Sequence, residues 1–342
     1  MNKPFTSAVP RTDSSRRAIA QLASVNLVWE NLLRGDDPLP LVMEAVSPDV
    51  NLAAWIAEHR GYLERKLYEH GGILFRGFRL LTAAAFEHAA GALCNELFAD
   101  YGDLPTETGA AKVYTSTPYP EELSILYHNE SSHMSCWPSK INFFCVTVAQ
   151  QGGATPIVDC RKIYHQLHAK VRQAFEQKGL TYVRNFHEGL DVSWQKFFGT
   201  EDRSQVGLSC QRDGSTCEWI GDDLRVKQNC RGVLVHPKSG EKSFFNQVQL
   251  HHVHCLPPEI RESLSSIYEP EELPRNVYYG DGSAIDNATM DHIGELYERN
   301  AVRFQWQKGD LVCLDNMITA HARDPFVGPR KVLVALGDMV GF

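Results

Sequence analysis

The 342-residue sequence lacks the segments that would carry a chain into or across a membrane. No apolar run reaches the roughly 20 residues that a membrane-spanning helix requires. The first residues also have no apolar stretch of the signal-peptide type. The nine cysteines are odd in number and irregularly spaced, which predicts reduced thiols rather than a disulfide framework. We therefore expect a cytoplasmic protein with no membrane partner.

Positive charge is also scarce. Lys and Arg total 34 against 42 Asp and Glu, which gives a net charge of −8. A nucleic-acid-binding protein normally carries a basic stripe, so a nucleic-acid partner is not expected. The pair Gly152-Gly153 opens no predicted helix and is not followed by Gly-Lys-Ser/Thr, which excludes a phosphate-binding loop there. The 43% hydrophobic content is ample for a large core.

The first residues are rich in Ser, Arg and Asp, and 35–40 has the Gly and Pro residues typical of a loop, so residues 1–50 are predicted to be an ordered but peripheral extension and residues 51–342 a single domain. Helices are predicted at 52–69, 82–98, 159–178, 257–267 and 287–300. Residues 71–77 are predicted to form a turn that enters a buried strand, and further strands are predicted at 141–148, 181–186, 232–236, 302–306, 310–315 and 331–337. Short strands dominate the later part of the chain. The expected fold is therefore α+β but mainly β, a double-stranded β-helix (jelly roll) core with flanking and inserted helices.

The most informative motif is His128-Asn129-Glu130, which is matched far downstream by His321. In extended chain, residues i and i+2 face the same side, so His128 and Glu130 can point at one ion. A second imidazole from a distant strand would complete a triad of two histidines and one carboxylate, which binds non-haem Fe(II) and leaves positions open. By itself the pair is also compatible with a surface turn, because the chain contains 14 histidines.

Seven segments in order give the motif a context. They resemble the TauD/TfdA family of Fe(II)/2-oxoglutarate-dependent oxygenases over residues 70 to 342. The similarity is strongest to the branch of clavaminate-synthase-like enzymes and of hydroxylases acting on free or carrier-tethered amino acids. The segments are Gly72–Phe78, Leu126–Glu130, Gln151–Asp159, His236–Glu241, Phe244–Gln247, Gly309–Asn316 and His321–Lys331.

The resemblance implies roles for individual residues. His128, Glu130 and His321 match the iron ligands, and Thr155 matches the threonine that contacts 2-oxoglutarate. Arg330 matches the arginine that pairs with the distal carboxylate of 2-oxoglutarate, with Arg323 as the alternative because the gap after His321 is short. A planar guanidinium also suits a carboxylate on chemical grounds, since it binds both oxygens at once.

The implied cofactor is Fe(II), with 2-oxoglutarate and O2 as co-substrates and succinate and CO2 as products. The expected reaction is hydroxylation of an unactivated C–H bond in an amino acid or amino-acid derivative, free or tethered to an acyl or peptidyl carrier protein. Desaturation, epoxidation and cyclisation use the same residues and stay open. Glu130 stands where related halogenases lack a carboxylate, which favours oxygenation over halogenation.

Other residues have two interpretations each. Asn246 and Gln247 lie in a Phe-Asn segment that the family places near its active site, so a substrate role and a structural turn are both considered. The run His251-His252-Val253-His254 is interpreted as packing or surface histidines rather than a second metal site. The aromatic residues Trp194, Phe197 and Phe198 are expected in a core more than in a lid.

Two other classes of protein are considered. A non-catalytic jelly-roll binding protein would not need all of the triad, Thr155 and Arg330. A zinc hydrolase would explain the triad through a metal-bound hydroxide but not the pairing of Thr155 with Arg330.

Overall fold

In the computed structural model, the described residues are 27–35, 37–99, 106–116, 119–190 and 192–341. Their helices are α1 (Leu52–His70), α2 (Ala83–Leu93), α3 (Cys160–Gln166), α4 (Ala169–Lys178), α5 (Trp194–Phe198), α6 (Arg203–Arg212), α7 (Val248–His251), α8 (Pro258–Ile267) and α9 (Asn287–Asn300), with a 3-10 turn at Val253–Cys255. No helix among these residues has the length and apolar character needed to cross a membrane.

The same residues form eighteen strands. They are β1 (Val28–Arg34), β2 (Asp37–Ala45), β3 (Gly72–Arg76), β4 (Tyr114–Thr115), β5 (Ile125–His128), β6 (Cys136–Thr147), β7 (Gln151–Gly152), β8 (Ile157–Asp159), β9 (Leu180–Phe186), β10 (Thr216–Ile220), β11 (Asp223–Cys230), β12 (Leu234–Val235), β13 (Lys242–Ser243), β14 (Arg275–Tyr279), β15 (Leu311–Asp315), β16 (Thr319–Arg323), β17 (Phe326–Val327) and β18 (Lys331–Gly341).

The largest sheet has seven strands in the order β1-β2-β3-β15-β6-β18-β4. Its pairs are antiparallel except for β2 with β3. Alternate residues of a strand face opposite sides of a sheet. Phe144 and Leu311 therefore pack against α1 and α2, whereas Phe143 and Val312 belong to a second core on the opposite face. Phe143 also contacts the ring of His321, so the candidate site lies on that second side.

Helix α1 shows how local sequence sets an element. Asn51 caps its start, because the Asn51 side chain accepts a hydrogen bond from the Ala54 N–H at 3.1 Å. Gly71 ends the helix in the left-handed conformation that glycine adopts without a steric penalty. The predicted apolar stripe, which includes Ile56 and Leu63, is buried against the main sheet.

Two smaller sheets frame the site. The sheet β5-β16-β8 has β16 at its centre, with His321 directly opposite His128 on β5 and opposite Ile157 on β8. The four-stranded sheet β10-β11-β9-β14 carries its own small core around Phe186 and Leu224. Strand β14 begins at Arg275, at the edge of the cavity described below.

Several sequence predictions of elements are confirmed, including α1, the strand within 141–148, and the helices at 257–267 and 287–300. The single helix predicted at 159–178 is wrong, since the chain forms α3 and α4 with a break at Leu167–His168. The break occurs where Leu167 is buried and the His168 N–H donates to Nε2 of His292 at 3.3 Å. A side chain from α9 thus satisfies a donor that a continuous helix would have used.

The strand predicted at 302–306 is also wrong. Val302, Phe304 and Trp306 alternate into the second core, but only Val302 makes a ladder contact, an isolated bridge to Ile157. Period-two burial identifies extended chain, whereas a strand also needs a hydrogen-bonding partner along its length.

The division into an extension at 1–50 and a domain at 51–342 stays a prediction. Residues 1–26 and residue 36 lie outside the described residues. Asp37–Ala45 is a strand of the main sheet whose Leu41 and Met43 are buried in the core, so this part of the expected extension is integral to the sheet.

Candidate active site

The fold brings the three predicted ligand residues together. Antiparallel pairing of β5 with β16 sets His128 beside His321, and the two ring centroids are 4.2 Å apart. Glu130 follows β5 by two residues, and its Oε2 lies 3.8 Å from Nε2 of His128 and 3.8 Å from Nε2 of His321. All three ligand atoms lie within 4.8 Å of one another, and no other such group of His, Cys, Asp or Glu occurs in the described part of the chain.

This arrangement fits a metal ion. Two atoms 3.8 Å apart can both lie about 2.1 Å from one ion between them, which is a normal metal–nitrogen or metal–oxygen distance. Two imidazoles and one carboxylate on one face are the donor set of non-haem Fe(II) oxygenases.

Hydrogen bonding and burial prepare both imidazoles for this role. Nδ1 of His128 lies 2.8 Å from the carbonyl oxygen of Leu126, which can only accept, so Nδ1 carries the proton and Nε2 is free to bind an ion. Burial, followed by the charge of His128, holds the pKa of His321 well below its usual value. A neutral imidazole is the form that ligates a metal.

Asn316 positions the backbone around Glu130. Its side-chain Oδ1 accepts the Glu130 N–H at 2.7 Å, and its Nδ2 donates to the carbonyls of Glu130 and Pro138 at 3.0 and 2.8 Å. Asn129 donates in turn to the Asn316 carbonyl at 2.8 Å. The turn between β15 and β16 is thereby tied to the segment that carries the carboxylate.

Thr155 and Arg330 lie together in the same cavity as the triad. The Arg330 guanidinium donates to the Gly153 carbonyl at 2.9 Å and to the Thr155 hydroxyl at 3.3 Å, and Trp306 Nε1 donates to that hydroxyl at 3.1 Å. Burial, with Arg323 nearby, lowers the pKa of Arg330 to about 10, so it stays charged at neutral pH. None of the described carboxylates forms an ion pair with Arg330, which leaves its charge available for an anion.

Gly153 makes room for this guanidinium. A Cβ at Gly153 would lie 2.9 Å from Cδ of Arg330, and the positive φ of +69° is itself unfavourable for other residues.

Arg323, the alternative to Arg330, has a different setting. Its guanidinium donates to the backbone carbonyls of Tyr119, Pro120 and Leu123, with distances of 3.0 Å to Tyr119 and 2.7 Å to Leu123. Arg323 lines the cavity but is engaged in holding the loop at residues 119–123.

Asn246 and Gln247 are both buried behind the triad. The backbone N–H of Asn246 donates to Oδ1 of Asn129, and Nε2 of Gln247 donates to the Asn129 carbonyl at 3.0 Å. Gln247 also lines the cavity, whereas Asn246 does not belong to its lining. A substrate role is therefore open to Gln247, and Asn246 supports the residue between two triad members.

The cavity in front of the triad has a volume of about 870 Å³. Sequence reasoning missed four polar residues that line it: His133, Gln249, His251 and Arg275.

The histidine run at 251–254 was noticed but interpreted as packing. His251 proves to face the cavity, while His252 is bonded to the Ile285 carbonyl at 2.9 Å and His254 to Asp291 at 2.7 Å. Nothing in the local pattern around Arg275 distinguished it from a surface residue.

Trp194 and Phe198 are half-buried against the small core around Phe186 and Leu224. Phe197 contacts the Phe186 ring but is 47% exposed, so the prediction of a core position is wrong for Phe197. The nine cysteines are all free.

Comparisons with known proteins indicate one family. The model of the taurine catabolism dioxygenase TauD, TfdA family matches residues 36–336. The dapdiamide synthesis protein DdaC of Enterobacter agglomerans is 34% identical over 312 residues, covering 90% of this chain and 94% of that protein. A clavaminate synthase-like protein of Arabidopsis thaliana is 28% identical over 324 residues, covering 87% and 93%. The crystal structure of a taurine dioxygenase from Burkholderia xenovorans shares the fold, with a TM-score of 0.53, 16% identity, and coverage of 92% of this chain and 91% of that chain.

The chain therefore belongs to the TauD/TfdA family of dioxygenases. It is an Fe(II)/2-oxoglutarate-dependent oxygenase that acts on a small molecule, with the mixed helix-and-strand fold of TauD-type enzymes.

Proposed function

We propose that this enzyme binds Fe(II) through His128, Glu130 and His321 and hydroxylates a C–H bond of an amino-acid-derived substrate. The observation that carries the proposal is that the triad shares one cavity with Thr155 and Arg330. The triad can hold the ion, and Arg330 supplies the charge that the distal carboxylate of 2-oxoglutarate needs.

Iron, 2-oxoglutarate and O2 together supply the oxidation of an unactivated C–H bond, with release of succinate and CO2. The protein holds and orients the reactants. Arg330 and Thr155, whose hydroxyl also accepts a hydrogen bond from Trp306, hold 2-oxoglutarate at their end of the cavity. Glu130 occupies the coordination position that a halide would require, which favours oxygenation. The apolar walls near the triad, formed in part by Ile141 and Phe143, restrict water and fix the position of the substrate.

The substrate class is proposed from the relatives and from the cavity. The relative from Enterobacter agglomerans is named for the synthesis of dapdiamide, and its similarity spans 90% of this chain. A cavity of about 870 Å³ accommodates a drug-sized ligand next to the co-substrate. The substrate is an amino acid or a derivative of one, free or tethered to a carrier protein, in a natural-product pathway in the cytoplasm.

We further infer that the centre of the fold is a double-stranded β-helix. In support, Ile157 of the sheet β5-β16-β8 packs with Phe143 and Val332 of the seven-stranded sheet, so the two sheets face one another across the second core.

Anaerobic reconstitution followed by exposure to air tests the function. The protein with Fe(II) and 2-oxoglutarate should release succinate, and a screen of free and carrier-tethered amino acids should reveal substrates that stimulate release. Product formed under 18O2 should contain one 18O atom. A product two hydrogens lighter without 18O would reassign the reaction to desaturation or cyclisation, and no Fe(II)-dependent succinate release would refute the proposal.

A further inference from the structure

The cavity extends well beyond the space around the triad and Arg330. Its outer end is bordered by apolar side chains of α7, α8 and the segments next to them, among them Leu250, Leu256, Leu264 and Leu273. Set among them are the polar residues His133, Gln249, His251 and Arg275, which the roles proposed above leave unused. A polar group on an otherwise apolar wall commonly orients a ligand and sets specificity.

The outer end of the cavity is electrically positive. Arg275 lies directly opposite Arg184 in the pairing of β14 with β9, so the two side chains share one face of the sheet. Both arginines also have interactions elsewhere in the chain, but a guanidinium has five N–H donors and can serve more than one acceptor. Their charges reach His133 and His251 and, after burial, help to lower the pKa of each.

The two histidines are neutral and offer hydrogen-bonding groups to a ligand. Burial lowers the pKa of His133 to about 4, and its buried Nδ1 has no hydrogen-bond partner among the described residues. Nδ1 of His251 lies 3.2 Å from the Gln247 carbonyl, which can only accept, so Nε2 of His251 is an acceptor. The ring centroids of His133 and His251 are 5.0 Å apart. The Tyr182 ring packs edge-on against His251, with a centroid distance of 4.8 Å.

Gln249 adds a further acceptor at the same end. It is buried, and within the described part of the chain its Oε1 accepts no hydrogen bond. The positive charge of the arginines favours an anionic group of a ligand. The acceptors beside them, on His251 and Gln249, favour a neutral N–H group next to that anion. A protonated amine would be repelled there by the arginines.

We propose that the outer end of the cavity, lined by Arg275, His133, His251 and Gln249, binds a free carboxylate with an adjacent amide N–H. The substrate would then be an N-acylated amino acid, with its carboxylate at Arg275, its amide N–H toward His251 or Gln249, and its apolar part along the leucines. A carboxyl group joined to a carrier protein as a thioester has no charge for Arg275, so the subsite selects the free acid. The subsite rests on the proposed function, because its ligand is the substrate oxidised at the triad.

A matched panel tests the subsite: N-acetyl derivatives of alanine, leucine and glutamine, each as the acid, the C-terminal amide and the pantetheine thioester, with the free amino acids. Binding is measured by anaerobic calorimetry on the full-length protein with Fe(II) and 2-oxoglutarate. At least one N-acetyl acid should bind tenfold or more tightly than its amide, its thioester and its free amino acid. Equal affinities, preference for the thioester or amine, or no binding by any compound would overturn the proposal.

Variants assign the effect to the subsite. Arg275→Ala should reduce the preference for acid over amide to twofold or less, whereas Arg275→Lys should keep part of it because it keeps the charge. His251→Phe should weaken binding of the acid at least fivefold while keeping the ring volume. The control is Arg212→Ala, which removes an exposed arginine at the end of α6 and should change nothing. An undiminished preference in Arg275→Ala would refute the assignment.

Failure of the subsite is distinguishable from failure of the proposed function. Succinate release that depends on Fe(II) but shows no preference for acids would refute the subsite alone. Absence of that release would refute the proposed function, and the acid preference can still be measured on the protein without iron.

Discussion

Arg330 is the residue that we propose binds the distal carboxylate of the co-substrate. It is partly buried, its guanidinium is fixed by Gly153 and Thr155, and its charge has no carboxylate partner among the described residues. Arg323 lies nearby in the cavity, but three backbone carbonyls already engage its guanidinium. Substitution of the two arginines is therefore expected to have different effects on 2-oxoglutarate binding.

We expect Arg330→Ala to raise the KM for 2-oxoglutarate by tens-fold or more while leaving Fe(II) binding nearly unchanged. Loss of a charge-assisted, partly buried pair costs about 2–5 kcal/mol. Steady-state kinetics with varied 2-oxoglutarate and a metal-binding titration measure the two effects. An unchanged KM in Arg330→Ala with a large rise in Arg323→Ala would transfer the role to Arg323.

The presence of Glu130 leads us to expect oxygenation rather than halogenation. The Glu130 carboxylate lies 3.8 Å from Nε2 of each triad histidine, and we propose that as an iron ligand it would occupy the position that a halide needs. We expect mass spectra of wild-type product formed in high chloride or bromide to contain no halogenated species. Glu130→Ala should lose hydroxylation, since removal of a ligand weakens iron binding. A halogenated wild-type product would show that Glu130 has another role.

At the scale of elements, the turn between β15 and β16 holds the carboxylate side of the triad in place. Asn316 is fully buried there and joins the Glu130 backbone to Pro138. The loop at residues 119–123 is held on the other side of the cavity by Arg323. The contacts of Asn316 and of Arg323 thus each join the region of β16 to a segment that borders the site, the Glu130 backbone in one case and the loop at 119–123 in the other.

Asn316→Ala should lower both the stability of the fold and the affinity for Fe(II). The variant leaves the buried Glu130 N–H without its acceptor, and each such loss costs about 1–3 kcal/mol. Thermal unfolding and an Fe(II) titration measure the two effects. Asn287→Ala, at an exposed position at the start of α9, is the control and should change neither. Weaker metal binding without any loss of stability would contradict the structural part of this account.

Arg323→Lys should loosen the loop without removing the positive charge. A single ammonium cannot reproduce a planar guanidinium that donates to the carbonyls of Tyr119, Pro120 and Leu123. We expect faster hydrogen exchange of the Leu123 amide, which is bonded to the Pro120 carbonyl at 3.2 Å, and a KM for 2-oxoglutarate that changes less than in Arg330→Ala. Unaltered exchange at Leu123 would mean that other contacts hold the loop.

For the whole molecule, the triad is a cross-link between separate parts of the chain. His128 and Glu130 come from β5 and the turn after it, and His321 comes from β16, nearly 200 residues later. An ion held by all three joins these parts only in the folded state. Metal binding should therefore stabilise the entire fold.

We expect Mn(II) with 2-oxoglutarate to raise the Tm of the protein under anaerobic conditions. A ligand that binds only the native state stabilises it by about 2.7 kcal/mol at a concentration of 100 Kd. His321→Ala should abolish most of the shift, whereas Arg212→Ala should retain it. An equal shift in His321→Ala and wild type, measured by scanning calorimetry, would show that the metal binds elsewhere.

Local pattern was sufficient for much of this protein. The apolar stripe of α1 and the β-branched run of β6 act over a few residues, and periodicity reveals them directly. The spacing of His128 and Glu130 likewise restricts both side chains to one side of extended chain. The candidate ligands were accordingly predictable from the sequence together with the family resemblance.

Other features were decided by the tertiary structure. The break between α3 and α4 depends on His292 from α9, and the separate settings of Arg323 and Arg330 depend on which carbonyls reach each guanidinium. His133, His251 and Arg275 come from three different segments and meet only because β14 pairs with β9 and α7 packs beside it. Sequence by itself determined which short stretches form helices, strands and paired ligands, because those depend on local periodicity. Only folding decided which distant polar side chains share one cavity, because long-range pairing carries no local signal.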